Sequence, residues 1–384
     1  MTQDTPTDTA SAVNALIGRR IRQDVQSMHA YAIQDSKGMV KLDAMENPHR
    51  LPADLQEALG KRLGALAFNR YPDGRVNDLR QALATYAGMP QGFDLMLGNG
   101  SDELISLLAM ACDVPVQPGQ AKPAILAPLP GFVMYAMSAQ LQGLDFIGVP
   151  LTADFELDVP AMVQAITEQQ PAIVYLAYPN NPTANLWDEA DMVRVVAAAK
   201  AAGSIVAIDE AYQPFSSRTY LDVIRANPAD NSHVLLMRTL SKFGLAGVRL
   251  GYMMGPTALV AQVDKVRPPY NISVLNYECA LFALEHADVF AAQAADLRAQ
   301  RSRLLAALRA LPGVKAWDSD ANMVLIRLEG AGEPAQKVFD GMKARGVLVK
   351  NVSKMHPLLA QCLRLTVGTA DENTRMLKAL QESL

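Results

Sequence analysis

Short apolar runs bounded by turn residues recur through the middle of the chain: Pro123–Ala127, Asp145–Pro150, Ala172–Tyr178, Ser204–Ile208, Val234–Arg238 and Leu250–Met254. Runs this short and this continuously apolar are what strands covered on both faces require. Between them, Val159–Glu168 repeats its apolar residues at helical spacing, and the alanine-rich Asp188–Ala202 runs up to Gly203, a helix stop. Strand and helix in alternation predict an α/β fold whose mostly parallel central sheet is flanked by helices. After about residue 285 the pattern changes. A long Ala/Leu/Arg stretch, Val289–Leu311, is stopped by Pro312-Gly313 and followed by strand-like runs at Met323–Leu328, Val347–Val349 and Leu363–Val367. These predict a smaller α+β domain joined through a long helix. Residues 1–43 have weak periodicity and read as an N-terminal arm, which leaves 44–285 for the large domain and 286–384 for the small one.

Composition narrows the function. Half of the 384 residues are apolar and 19% are charged, enough for large cores and unlike a disordered chain. The balance of 35 basic against 39 acidic residues gives no broad positive field for nucleic acid. Cys112, Cys279 and Cys362 are far apart and suggest neither a disulfide framework nor a thiolate metal site, so a reducing cytoplasm is the expected compartment. Met1 to Ala10 lack the basic start and apolar stretch of an export signal. The uncharged stretches Pro123–Leu144 and Gln169–Trp187 each carry three prolines and read as a buried strand followed by a loop, not as membrane spans. The histidines, His29, His49, His233, His286 and His356, are too dispersed for a local metal clamp, and no metal is expected.

No P-loop, HExxH or GxSxG occurs. Gly98-Asn-Gly100-Ser-Asp-Glu103 resembles the start of a dinucleotide fingerprint, but Glu103 stands where the third glycine is needed. The segment reads either as a turn or as an anion site at the start of the helix-like run Leu104–Ala111. Three polar segments follow apolar strands: Tyr178-Pro-Asn-Asn-Pro-Thr183, Asp209-Glu-Ala-Tyr212 and Arg238-Thr-Leu-Ser-Lys242. Singly, each has an ordinary reading: a turn, a helix cap, a solvated lysine. Together, with Arg249, they place a carboxylate, an amide, a hydroxyl, a lysine and a guanidinium at strand ends, where open α/β sheets bind ligands. That set suits a phosphorylated pyridine aldehyde. The lysine can form a Schiff base with the aldehyde, the carboxylate keeps the ring nitrogen protonated, and arginine, serine and helix-start N–H groups hold the phosphate.

Asn181-Pro-Thr, Asp209-Glu-Ala-Tyr212 and Ser241-Lys-Phe-Gly-Leu-Ala-Gly-Val-Arg249-Leu-Gly251 resemble the fold-type-I aminotransferases that use pyridoxal 5′-phosphate. Arg70-Tyr71-Pro and Leu363-Arg364-Leu-Thr-Val-Gly-Thr369 are similar to the branch acting on histidinol phosphate. The likeness runs from about Ile21 through Thr369. It implies transfer of an amino group between L-histidinol phosphate and 2-oxoglutarate, giving glutamate, with an aromatic aminotransferase or a decarboxylating lyase as alternatives. It implies Lys242 as the Schiff-base lysine and acid/base, Asp209 on the ring nitrogen, and Asn181 and Tyr212 on the ring hydroxyl. Phe132 would stack on the ring, with Tyr135 as a second candidate. Ser101, Asp102, Ser241 and Arg249 would hold the cofactor phosphate, with Tyr71 reaching across from a second subunit of a homodimer. Arg364 would pair with the carboxylate of glutamate or 2-oxoglutarate, and Asn47 and Tyr31 would meet substrate. Lys350 stands where an arginine is expected for the substrate phosphate. Ala184 replaces the glycine after Asn-Pro-Thr, so that turn must do without glycine's positive φ or take another form.

Overall fold

In the computed structural model the described residues are 6–28, 34–113 and 122–384, and the chain divides into two compact units, Met1–Lys37 and Gly38–Leu384. In the first, Pro6–Arg20 is a helix that apolar spacing does not predict, because most of its face is polar. Tyr31 lies outside the described residues.

The second unit opens with the short strand β1, Val40–Lys41. It then builds a sheet from β2 Phe93–Gly98, β3 Ala124–Leu129, β4 Asp145–Pro150, β5 Ile173–Ala177, β6 Ile205–Asp209, β7 Val234–Thr239 and β8 Gly251–Pro256. The spatial order is β2-β8-β7-β6-β5-β3-β4. Strand β8 is antiparallel to both of its neighbours, and the remaining pairs are parallel. The central strands are apolar without interruption because both faces are covered. Val174, Val206 and Leu236 enter one core while Tyr175, Ala207 and Leu235 enter another. Each such buried aliphatic side chain is worth roughly 1.5–3 kcal/mol.

Local chemistry sets the flanking helices. Asp158 caps Val159–Gln169 by accepting from the Ala161 N–H at 3.0 Å. Asp188 caps Glu189–Ala202 by accepting from Ala190 N–H at 2.9 Å, and Gly203 ends that helix in the left-handed region. Strand β2 and the helix Met134–Gln142 are among the elements that depart from the sequence expectation. Strand β2 is absent from the predicted set because its first residues are partly exposed and include Asp94, which breaks the apolar run. Met134–Gln142 is helical where a loop is expected, since its polar residues Ser138, Gln140 and Gln142 recur at every second position and not at helical spacing.

The long helix Ala287–Arg309 leads to a second sheet. It contains β9 Val314–Ala316 and β10 Met323–Leu328, and after the short strand β11 Val347–Leu348 it gains β12 Lys350–Asn351 and β13 Cys362–Thr366. The order is β12-β13-β10-β9, antiparallel throughout. Strand β1 pairs in parallel with β11, so Val40 and Leu42 enter the core around this smaller sheet. Among the described residues no helix is long and apolar enough to cross a membrane.

Candidate active site

Strands β3, β5, β6 and β7 run parallel, and the loops beyond their carboxyl ends converge on one cleft of about 580 Å³, part of it open to solvent. Its walls include Ser101, Asp102, Phe132, Asn181, Asp209, Tyr212, Ser241, Lys242 and Arg249, residues that the sequence motifs single out. Met45 and Thr239 also line it. Thr239 sits inside the quoted Arg-Thr-Leu-Ser-Lys motif and could have been found there. Met45 has no chemical signature to find.

One end of the cleft is an anion cradle. Gly100 has φ +76° and begins the helix Gly100–Ala111, so Ser101 and Asp102 stand at its N-terminus. Gly251 must be glycine because a Cβ there would lie 2.7 Å from the Gly100 carbonyl carbon and 2.9 Å from the Ser101 nitrogen. Arg249 donates to Ser241 Oγ at 3.3 Å and to Asp102 Oδ2 at 3.2 Å. The Thr239 hydroxyl ties Ser241 in place, accepting from its N–H at 3.1 Å and donating to its Oγ at 2.9 Å.

The floor is Asp209, at the end of β6. It is 4% exposed, and burial pushes its carboxyl up to about 6 even though hydrogen bonds from Tyr135 and the Ala211 N–H favour the charged form. The Tyr135 hydroxyl donates to Oδ2 at 2.7 Å. The Tyr135 ring lies flat on Tyr175, with centroids 4.3 Å apart, and meets Phe132 edge-on at 5.6 Å. Tyr135 is thus committed to the carboxylate from below. The adjoining Glu210 points the other way, into a buried pair in which Arg238 donates to Oε2 at 3.0 and 2.8 Å. That pair fixes the turn that presents Asp209 and Tyr212.

Lys242 lies in the short π-helical turn Ser241–Leu245 after β7. Burial and then Arg364 hold its amine down to about 8, with Arg249 adding to the effect and Glu46 and Asp102 opposing it. Its Nζ lies 5.9 Å from the centre of the Tyr212 ring and donates to the Ala44 carbonyl at 2.9 Å. Arg364, on β13, donates to Asn181 Oδ1 at 2.7 Å and to the Asp43 carbonyl at 2.8 Å. Lys350 is its register partner on β12, so both side chains leave the same face of the smaller sheet.

Other residues singled out from the sequence stand apart from the cleft wall. Tyr71 is 76% exposed and stacks on Tyr270 at 4.6 Å. Asn47 donates to the Phe243 carbonyl at 3.1 Å and to Gln293 Oε1 at 2.9 Å, which makes it a brace for the lysine turn. Ala184 takes the left-handed conformation itself, with φ +67°, and is fully buried. Its carbonyl accepts from Asp320 N–H at 2.8 Å, and its methyl packs in the core with Tyr212 and Phe215.

Known proteins resemble this chain along nearly its whole length. The aminotransferase class I and II family matches residues 37–380. Histidinol-phosphate aminotransferase of Polaromonas naphthalenivorans (strain CJ2) is 70% identical over 374 residues, covering 97% of this chain and 99% of that one. The enzyme of the same name from Paracidovorax citrulli (strain AAC00-1) is 67% identical over 380 residues, covering 98% and 100%. Among solved structures, histidinol-phosphate aminotransferase from Sinorhizobium meliloti, in complex with pyridoxal 5′-phosphate, superposes with a TM-score of 0.80 at 24% identity, covering 95% and 97%. At that identity the likeness is one of fold.

Proposed function

The chain belongs to the class I and II aminotransferases and is a transaminase dependent on pyridoxal 5′-phosphate, and we propose that it moves the amino group between L-histidinol phosphate and 2-oxoglutarate. The cleft suits the cofactor on its own chemistry: an anion cradle that a Cβ at Gly251 would fill, a buried carboxylate, and an amine of lowered basicity within one pocket. When bound, the cofactor supplies an electron sink for the substrate carbon. Everything else falls to the chain's own residues.

Ser101, Ser241, Arg249 and the N–H groups at the helix start bind the cofactor phosphate. Asp102 contributes through its hold on Arg249, because its carboxylate would repel a phosphate approaching directly. Phe132 covers one face of the ring. Asp209, costly to ionise alone at this depth, is restored to its charged form by a protonated ring nitrogen and keeps that nitrogen protonated in return. The oxygen of Asn181 is taken by Arg364, which leaves its Nδ2 to donate to the ring hydroxyl beside Tyr212. Lys242 is the amine that would hold the cofactor through its aldehyde. Its basicity near neutrality would suit it to take and return the proton of the substrate carbon.

The observation that carries the substrate is the cross-strand pair Arg364 and Lys350, two cations on one face of the smaller sheet. The guanidinium fork suits a carboxylate, and lysine serves as a point charge for phosphate. The same reading assigns the large domain to 44–285 and the small one to 286–384, places the enzyme in the cytoplasm, and makes the working form a homodimer in which Tyr71 of a second copy reaches the cofactor phosphate. Asn47 and Tyr31 are assigned to the substrate side.

The test is to incubate the purified protein with 2-oxoglutarate and a panel of amines and follow glutamate. Histidinol phosphate is expected to be turned over fastest. Faster turnover of aromatic amino acids would replace the substrate while leaving the transaminase reading intact, and product formation without a keto acid would contradict both.

A further inference from the structure

The segment from Leu42 to Met45, whose last residue lines the cleft, offers four successive carbonyls, and each accepts from a different residue. Thr366 N–H donates to Leu42 O at 3.1 Å, Arg364 Nη2 to Asp43 O at 2.8 Å, Lys242 Nζ to Ala44 O at 2.9 Å, and Asn322 Nδ2 to Met45 O at 3.0 Å. The segment is also held from its donor side, since Met45 N–H donates to Thr366 Oγ1 at 3.1 Å. Met45 has φ +52°, a conformation that costs a non-glycine residue about 1–2 kcal/mol and persists only where its surroundings impose it. Thr366 and Asn322 are both nearly inaccessible, and they supply that constraint from β13 and from the turn before β10. Of the four donors, Lys242 alone is the group read as bonding covalently in the reaction.

We infer that the Ala44 carbonyl is the docking point for the ε-amine of Lys242 whenever that amine is not covalently engaged, and that Thr366 and Asn322 are positioning residues that hold the carbonyl in place. The inference rests on the reading of Lys242 as the cofactor lysine. It gives the displaced amine a fixed station at the cleft wall instead of a spread of rotamers, so the proton it carries is delivered from one place. Because Arg364 holds the preceding carbonyl, the residue that meets the substrate carboxylate and the residue that moves the proton are joined through one peptide unit.

Thr366→Val keeps the shape of the side chain and removes the acceptor for Met45 N–H, while Thr366→Ser keeps the hydroxyl. The charged groups around the amine come from several elements: Arg364 on β13, Arg249 before β8, Asp102 at the helix start and Glu46, which pairs with Lys41, with Asp209 at the end of β6 lining the same cleft. The substitutions leave all of them in place. The full-length chain, freed of cofactor, is mixed with pyridoxal 5′-phosphate across a pH series, and the rate of appearance of the visible chromophore is recorded. The aldehyde's own ionisations are common to every variant. Coupling needs the neutral amine, and a carbonyl acceptor favours the charged one, so loss of the docking point lowers the midpoint.

Wild type and Thr366→Ser are expected to share a midpoint near about 8, and Thr366→Val is expected to fall below them by about half a pH unit or more. If Thr366→Val does not fold, Asn322→Ala, which removes the donor to Met45 O, is expected to give the same downward shift. An unchanged midpoint in the folded variant overturns the inference, and so does a raised one, which would mean that the segment only shields the lysine from water. Chromophore formation in Lys242→Ala would instead refute the assignment of the lysine itself.

Discussion

The cleft has two walls built by different means. The wall at the strand ends of the large sheet consists of side chains: Asp209, Asn181, Lys242 and the cradle of Ser101, Ser241 and Arg249. The opposite side, from Leu42 to Met45, offers mainly backbone carbonyls, those of Asp43, Ala44 and Met45 each held by a side chain from elsewhere and that of Leu42 by a backbone N–H. Side-chain chemistry leaves a trace in the sequence, whereas a carbonyl can belong to any residue. The first wall sets what reacts and the second sets where the reacting amine waits, so substitutions in the two should fail differently.

The largest effect is expected at Lys242. Lys242→Ala should lower kcat by about a thousandfold or more and abolish the visible chromophore, measured by steady-state assay and absorbance. Changes in the second wall should slow the reaction with the chromophore retained.

Asp209 comes next, through stability. Its carboxyl is raised from 3.8 to about 6 in the folded chain. Between those values the folded chain keeps a proton that the unfolded chain has released, so stability falls as pH rises through that window. In the cofactor-free protein, Asp209→Asn should therefore be more stable than wild type at about pH 8, by up to about 3 kcal/mol, with the gap closing towards about pH 4. Denaturant titrations at both pH values measure it, and a gap that does not depend on pH would contradict the buried, raised carboxyl.

At the join of the two walls, Arg364→Lys keeps the charge but loses the fork shared between Asn181 and the Asp43 carbonyl. The KM for 2-oxoglutarate should rise about tenfold or more. The smallest effect is expected at Ala184→Gly. Relief of the positive φ is offset by loss of a buried methyl and by glycine's greater freedom when unfolded, leaving stability within about 1 kcal/mol of wild type in thermal melts.

The same contrast explains how much could be read in advance. Strands β3 and β5 to β8 announce themselves because both of their faces are buried, the half-exposed edge strand β4 does so by its apolar run alone, and the capped helices between them follow from Asp158, Asp188 and Gly203. Strand β2 is hidden by Asp94 and its partial exposure, and the helix Met134–Gln142 by polar residues that recur at every second position. Within the site, Lys242, Asp209, Asn181 and Arg249 fall in short motifs of fixed spacing. The bond from Tyr135 to Asp209 spans 74 residues, and those from Asn322 and Thr366 to Met45 span 277 and 321. Contacts of that range are set by the docking of whole elements and leave no local pattern.

The central claim is that Lys242 is the residue to which the cofactor attaches. Reduction of the coloured holoenzyme with borohydride, followed by proteolysis and mass spectrometry, should place one added pyridoxyl phosphate on the peptide containing Lys242. A modification found on another lysine, or no modification in coloured protein, would contradict it.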